Sequence, residues 1–296
     1  MEDKICSYVI LYGKKDTFFN VKEVLKVKFE ISDRLLLKLK RNNKIFKNSN
    51  ICSVNEKVYY NDIISFIIDF EEDNSNIVPT KMNLDILYED EAYIVINKPA
   101  NLPVHPSILH YDTSLSNGIK YYYDKIGLKK KIRPVNRLDK DTSGIVIFAK
   151  NEYVQEMLVR QMKNKIFTKE YIAVCEGVFE NRSGTINAPI ARKENSIIER
   201  CVREDGDASI THYNVLKTDS NCSIVKLILE TGRTHQIRVH LSYIGHPIVG
   251  DTLYGNSSTK IKRQALHSLK VKFIHPISKE EVYYIAPLPD DIKKII

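Results

Sequence analysis

Long apolar runs are missing from this 296-residue chain: the longest, such as Ile145-Val146-Ile147-Phe148-Ala149, fall far short of the ~20 residues a bilayer-spanning helix needs. No apolar stretch of signal-peptide type follows Met1-Glu2-Asp3-Lys4, so export is not expected. Cysteine is scarce, five residues with no C-x-x-C pair, which excludes zinc-ribbon and dithiol redox spacing. The phosphate loop G-x-x-x-x-G-K-[ST], the dinucleotide fingerprint G-x-G-x-x-G and the nucleophile elbow G-x-S-x-G are all absent. There is no H-E-x-x-H, and His235 and His240, five apart, fall on different faces of a helix, so no metal site is expected. These absences describe a soluble, cytoplasmic, reduced protein without a membrane partner.

What is present is ordinary globular composition with a basic excess. Hydrophobic residues make up 43% and charged residues 28%, and 45 Lys+Arg against 37 Asp+Glu leave a formal charge of +8. The length suits one large or two modest domains, and the charge favours a polyanionic partner, nucleic acid first. The charge is uneven. Residues 21–47 hold nine Lys/Arg against three acids, and the acidic, polar stretch Glu71-Glu72-Asp73-Asn74-Ser75-Asn76 then leads to Pro79. That shift in composition predicts a boundary near residue 78, dividing residues 1–78 from residues 79–296.

In the first part, Ser32 is a natural N-cap for a helix starting at Asp33. Leu35, Leu36 and Leu39 would form its apolar face, and Arg34, Lys38 and Arg41 a basic one. Residues 51–54, 55–57 and 58–68 read as strand, turn and strand. A basic helix on a hairpin suits contact with a phosphate backbone, with a solvated charged face as the alternative. In the second part, residues 93–97 and 144–149 are apolar on both alternating faces, as central strands should be. Asn151 would cap a helix carrying Val154, Met157, Leu158 and Met162. Residues 168–178 and 223–230 read as further strands. A short helix presents Ile237, Leu241 and Ile244 before Gly245 and Pro247 close it, and a late strand alternates Leu269, Val271 and Phe273. Strands interleaved irregularly with short helices predict an α+β fold rather than a βαβ repeat.

Three segments place polar residues where packing alone would not. Asn136-Arg137-Leu138-Asp139-Lys140-Asp141-Thr142-Ser143-Gly144 feeds the most apolar strand, so it is either a plain turn or a rigid mount for an acid. Residues 231–240 contain Thr234 and Arg238 at i, i+4, on one face opposite Ile237 and Leu241. A guanidinium there can pair with a carboxylate in two-pronged fashion; phosphate or solvent is the alternative fate of Arg233 and Arg238. Lys169-Glu170-Tyr171 offers a ring for stacking on a base or for the core. Between residues 120 and 140 lie eight Lys/Arg against Asp124 and Asp139, beside Tyr121-Tyr122-Tyr123. That pattern fits a polynucleotide substrate or a merely solubilising surface.

Together these residues resemble the RluA-type family of RNA pseudouridine synthases. The family's H-R-L-D-x-x-T-S-G matches residues 136–144 except at Asn136, and its N-K-P-x-G-x-x-V-H-P is similar to residues 97–106, with Asn101 in place of Gly. K-x-Y corresponds to residues 169–171, and T-G-R-x-H-Q-I-R-V-H to residues 231–240. Gly245-His246-Pro247-Ile248-Val249-Gly250-Asp251, Gln264-Ala265-Leu266-His267 and Ala286-Pro287-Leu288-Pro289 follow in order, so the likeness spans roughly residues 84–290. Residues 1–78 resemble an S4-type RNA-binding domain through Ser32-Asp33-Arg34, residues 54–58 and Asn61-Asp62.

The resemblance implies a mixed, mainly antiparallel central sheet with a cleft across its middle, and isomerisation of specific uridines in RNA without metal or cofactor. Large-subunit ribosomal RNA is the implied substrate, with tRNA as the alternative. Asp139 would be the essential carboxylate, attacking the nucleoside or abstracting a ribose proton; Arg238 would pair with it, with Arg233 as competitor. Tyr171 would stack on the uracil and assist proton transfer at C5, and Arg137 would fill the gap left by the flipped base. Lys169 and Arg233, with Arg34, Lys38 and Arg41 of the basic helix, would be further RNA contacts. Asn101 would tolerate a positive-φ turn, and Asn136 would keep a hydrogen-bonding group where His is usual. A monomer is expected. Two rivals remain on sequence alone: an RNA-binding protein with a retired synthase domain, and a nucleoside hydrolase, which needs a second carboxylate.

Overall fold

The computed structural model describes residues 5–9, 18–219 and 221–296, so the reading of residues 1–4 lies outside the described residues. The first part of the chain folds as β1 (Ile5–Val9), α1 (Val21–Val27), α2 (Asp33–Arg41), β2 (Ile45–Lys47), β3 (Asn50–Ile51) and β4 (Ile63–Ile67), with strand order β1-β4-β2-β3. Ser32 caps α2 as expected, its hydroxyl accepting from Leu35 N–H at 3.3 Å, and Leu35, Leu36 and Leu39 are buried. The hairpin sits earlier than the sequence pattern places it. β2 and β3 turn at Asn48 and Ser49, with φ of 49° and 67°, and β4 returns to pair with β2. A two-residue turn of this twist needs positive φ twice, which Asn-Ser can hold. Residues 52–62 are turns and irregular chain, joined to Asn20 by an isolated bridge at Lys57, with Val54 and Val58 buried.

The remaining elements are β5 (Ile86–Glu89), β6 (Tyr93–Lys98), α3 (Leu115–Lys125), β7 (Arg133–Pro134), β8 (Ser143–Ala149), α4 (Glu152–Lys163) and β9 (Thr168–Glu176). They continue through β10 (Ser183–Asn187), β11 (Ile190–Arg192), β12 (Arg200–Val202), β13 (Ile210–Thr218), β14 (Cys222–Leu229), α5 (Gln236–Tyr243), β15 (Leu266–Ile274), β16 (Glu281–Ile285) and α6 (Asp290–Lys293). The main sheet runs β10-β13-β14-β9-β15-β8-β6-β5, with β16 beside β15 and β7 beside β8. Its pairs are antiparallel except β8 with β15, so the sheet is mixed and the fold α+β, as the pattern and the resemblance both implied.

The two-residue period of the central strands divides them between two layers. Ile94, Ile96, Val146 and Phe148 pack with Leu115, Ile119 and Tyr123 of α3. Tyr93, Val95, Ile145 and Ile147 pack with Tyr153, Val154 and Leu158 of α4. Asn151 caps α4 through Val154 N–H at 2.9 Å. At the β8–β15 junction Gly144 has φ +110°, and a Cβ there would lie 2.2 Å from the Ser268 carbonyl oxygen. The T-S-G glycine is therefore required by the sheet itself. Among the described residues no helix is long and apolar enough to cross a membrane.

The acidic stretch and the basic stretch meet. Arg133 donates twice to Glu72, both at 2.6 Å, Lys130 pairs with Asp69 at 3.0 Å and Lys129 with Glu71 at 3.2 Å. Asn74 donates to the Lys130 carbonyl and accepts from Ile132 N–H at 3.1 Å. Much of the positive charge between residues 120 and 140 is thus neutralised within the fold instead of forming an open strip. α2 lies along α4, with Arg160 on Glu30, Ser32 on Glu156 at 3.0 Å and Lys38 on Glu152 at 2.7 Å. Lys38 also lies 3.5 Å from Glu72 and over the Phe70 ring, so it leaves the expected basic face, while Arg34 and Arg41 stay exposed. Phe66 packs edge-on against Tyr153 at 5.6 Å, and one apolar cluster continues from the first sheet to the second.

Candidate active site

A cavity of about 650 Å³ opens beside β9 and β14, and Arg137, Asp139, Lys169, Tyr171, Arg233 and Arg238 all line it. The six come from three separate stretches of sequence. α2 contributes none of them, so Arg34, Lys38 and Arg41 stand apart from this group.

Asp139 sits in the turn before β8, where Thr142 N–H bonds to its carbonyl at 3.1 Å. The turn is held from behind. The Lys140 carbonyl accepts from Leu102 N–H at 3.1 Å and from Lys98 Nζ at 2.9 Å, and Lys98 also donates to the carbonyls of Pro99 and Leu102. Lys98 is fully buried, and burial pulls its ammonium down to about 7 against the attraction of Asp141. The N-K-P segment is thus the mount of the Asp139 loop. Asn101 within it has φ 60°, the positive-φ turn expected there. On the far side, Gln264 donates to Thr142 Oγ1 at 3.2 Å and Ser143 bonds His267 at 2.9 Å, so residues 264–267 brace the same loop. Asn136 turns into the sheet, donating to the Ile145 carbonyl and accepting from Ile147 N–H, both at 2.9 Å. It mimics a paired strand and does not face the carboxylate.

Arg238 reaches Asp139 from α5. Its Nη1 lies 3.1 Å from Asp139 Oδ2, while Nε and Nη2 form a two-pronged pair with Asp251 at 2.7 and 2.8 Å. The fork expected of Arg238 therefore grips Asp251, and Asp139 receives the remaining nitrogen. Burial alone would lower the Arg238 pKa; Asp251 and then Asp139 outweigh it and raise it. Among the described residues no hydrogen bond reaches Asp139 Oδ1, so in this cavity-lining residue one carboxylate oxygen is anchored and the other is free. Arg233, the competitor, instead lies 3.7 Å from Asp207 and donates to the Ala208 carbonyl. Thr234 is not on the Arg238 helix. His235 has φ 58°, so helical geometry begins only at Gln236.

Tyr171 on β9 is buried, and burial followed by the charge of Asp139 raises its pKa, keeping the phenol protonated. Lys169 lines the cavity with no ion partner among the described residues, and burial lowers its pKa. Arg137 stands exposed at the mouth. Sequence reasoning missed two groups. Asp251 lies in the motif of residues 245–251, and an acid thirteen positions after a buried arginine was the available signal. By its spacing from His240, His235 offers no metal site, yet its Nε2 is 3.8 Å from Asp139 Oδ2. Burial lowers the His235 pKa, opposed by Asp139 and aided by Arg238. Among the described residues no His/Cys/Asp/Glu group is arranged to hold a metal.

Chemically, a carboxylate with one free oxygen faces a cavity that also holds a protonated phenol and several cations. That suits attack on, or deprotonation of, a bound anionic polymer unit. The sequence model of RNA pseudouridylate synthases matches residues 92–243, which include Asp139, Tyr171 and Arg238. An uncharacterised RNA pseudouridine synthase of Bacillus subtilis, YjbO, is 44% identical over 232 residues, 78% of this chain and 82% of that protein. Ribosomal large subunit pseudouridine synthase D of Haemophilus influenzae is 37% identical over 255 residues, 81% of this chain and 78% of that protein. Among solved structures, human RNA pseudouridylate synthase domain containing 1 superposes with a TM-score of 0.58 at 29% identity, covering 69% of this chain and 83% of that one. The chain belongs to the RluA-type family of RNA pseudouridine synthases, isomerases that convert uridine in RNA to pseudouridine.

Proposed function

We propose that this enzyme modifies uridines of large-subunit ribosomal RNA, with Asp139 as the reacting carboxylate. The observation that carries the reading is the division of Asp139, with Oδ2 tied to Arg238 and Oδ1 unbonded, in a cavity that Arg137, Arg233 and Lys169 also line. The name of the Haemophilus influenzae relative supports a ribosomal substrate over tRNA. The target uridine leaves its stack, a cost of a few kcal/mol that Arg137 offsets by occupying the vacated place. Its uracil lies against Tyr171. The C1′–N1 bond breaks, the base rotates, and C1′ rejoins through C5. C5 loses one proton and N1 gains one, so the exchange is neutral in mass and redox state and calls for neither metal nor cofactor. Tyr171, held as a neutral phenol, takes up the C5 proton only as it hands its own hydroxyl proton to water, so its charge is unchanged and N1 draws its proton from the same solvent.

Residues 1–78 act as an S4-like RNA anchor and residues 79–296 as the catalytic domain, with exposed Arg34 and Arg41 meeting phosphates. The enzyme works as a cytoplasmic monomer. The test uses purified protein with RNA carrying tritium at uracil C5, because rejoining through C5 releases tritium to water. Release from the large-subunit ribosomal RNA of cells lacking the gene, and none from their tRNA, is expected. Release from tRNA alone would overturn the substrate assignment.

A further inference from the structure

His235 lies against Asp139 and has no task in the reaction drawn above. Its backbone occupies the left-handed region at φ 58°, ψ 18°, and as the N-cap of α5 its side chain makes no capping hydrogen bond. A non-glycine residue held there is strained and marks a position the surroundings over-determine. The ring belongs to the cavity lining and is instead held through Nδ1, which lies 2.8 Å from the Tyr254 hydroxyl.

The proton on that imidazole can be placed. The Tyr254 oxygen accepts from Arg200 N–H at 2.8 Å. A backbone N–H can only donate, and a phenol has a single proton to give. The arrangement that gives the Tyr254 proton an acceptor puts it in the bond with His235 Nδ1, which makes Nδ1 the acceptor and leaves the imidazole proton on Nε2. The opposite tautomer would aim an Nε2 lone pair at a carboxylate and leave the phenol proton without this acceptor. Nε2 is 3.8 Å from Asp139 Oδ2, the oxygen that Arg238 holds at 3.1 Å. A closure of roughly 1 Å would make a hydrogen bond of normal length, and bonds at catalytic groups commonly tighten only when substrate is bound.

We propose that His235, its proton fixed on Nε2 by the Arg200–Tyr254 relay, is a positioning residue that closes onto Asp139 Oδ2 when the uridine binds. Oδ2 is then held by two donors, and Oδ1 alone is left to react. The inference rests on the function proposed above and adds a residue that the catalytic chemistry does not otherwise require.

Three variants test it in single-turnover tritium release from C5-tritiated total RNA of cells lacking the gene. Asn tolerates the left-handed backbone but is too short to reach Oδ2, so His235→Asn is expected to keep the fold and lower the rate constant about 10- to 100-fold. The RNA concentration giving half the maximal rate stays where it was. His235→Gln carries an amide N–H to about the place of Nε2 and recovers much of the rate. Tyr254→Phe keeps the ring beside Arg238, 5.0 Å away, and removes only the hydroxyl. It slows the reaction less than His235→Asn and adds nothing in the His235→Asn background, since both act through one chain of bonds.

A wild-type rate in His235→Asn overturns the proposal, as does a loss confined to RNA affinity, an equal loss in the Asn and Gln variants, or full additivity with Tyr254→Phe. Should melting show His235→Asn unfolded, the test passes to His235→Gln, Tyr254→Phe and their double variant: a loss from Tyr254→Phe that is unchanged in the His235→Gln background overturns the proposal, and one that shrinks there supports it. No tritium release by the wild-type enzyme would instead sink the proposed function, and this inference with it.

Discussion

Arg238 is shared by two carboxylates of unequal burial, and that inequality separates their stability from their chemistry. Asp251 is 1% exposed and Asp139 27% exposed, with the arginine at 9%. Asp251 also accepts from Leu253 and Tyr254 N–H at 3.1 and 3.3 Å, so its carboxylate organises the loop after α5 as well. In Asp251→Asn an amide N–H group faces the guanidinium, leaving a buried cation with one partner reduced. Breaking a buried pair in this way costs about 3–5 kcal/mol. At about 2–4 °C per kcal/mol for a domain of this size, the melting temperature should fall by roughly 6–20 °C. Asp139→Asn removes only a partly solvated contact, worth about 0–1 kcal/mol, so its melting temperature should move by no more than about 4 °C while activity disappears. Removing both members of the buried pair, in Arg238→Met with Asp251→Asn, should cost less than the sum of the single changes, because neither charge is then stranded. Calorimetry or thermal circular dichroism on the four variants, with tritium release alongside, reads all of this. An Asp251→Asn protein that melts like wild type, or an Asp139→Asn protein as destabilised as Asp251→Asn, would refute the division of labour.

Lys98 titrates at about 7 in the fold and near its ordinary value of 10.5 when unfolded. The unfolded chain therefore binds more protons between those values, and stability should rise with pH across that window by up to about 1.4 kcal/mol per unit. Lys98→Met lacks that slope; identical pH profiles for the two proteins in urea titrations would contradict the assignment. Gly144→Ala places a Cβ against the Ser268 carbonyl at the β8–β15 junction and should abolish soluble expression; a folded, active protein would show that the strands can part. Arg34→Ala and Arg41→Ala should each flatten the plot of log affinity for RNA against log salt by about 0.7–0.9, one phosphate contact apiece. Lys38→Ala, already paired with Glu152 and Glu72, should leave that slope alone and lower the melting temperature, and filter binding across salt concentrations distinguishes the two behaviours.

The parts of the fold that were legible are those whose cause is local. β6 and β8 announce themselves by apolar residues on both faces, α4 by Asn151 and its spaced Val154, Met157, Leu158 and Met162, and α2 by Ser32. Helix α3 was not expected, because Gly118 and a run of three tyrosines give a poor helical signal; the capping box of Ser114 and Asn117 and the packing of Leu115, Ile119 and Tyr123 override it. The N-terminal hairpin was displaced because Asn55-Glu56-Lys57 and Asn48-Ser49 are both plausible turns, and only pairing with the distant β4 selects the second. Pairing between Glu72 and Arg133 crosses 61 positions, a distance at which charge patterns carry no register. In the site, Arg238 and not Arg233 lies against Asp139, and no helical pattern in the sequence explains why. The helical face shared with Thr234 does not exist, and the buried fork on Asp251 is what aims the guanidinium.

Asp139 carries the central claim, and the most direct measurement is pseudouridine mapping of total RNA, by chemistry selective for pseudouridine, in cells with the gene, without it, and with Asp139→Asn in its place. One or a few sites in large-subunit ribosomal RNA should vanish with the gene, return with the wild-type copy and stay absent with Asp139→Asn, at equal protein levels. Sites restored by Asp139→Asn would contradict the claim.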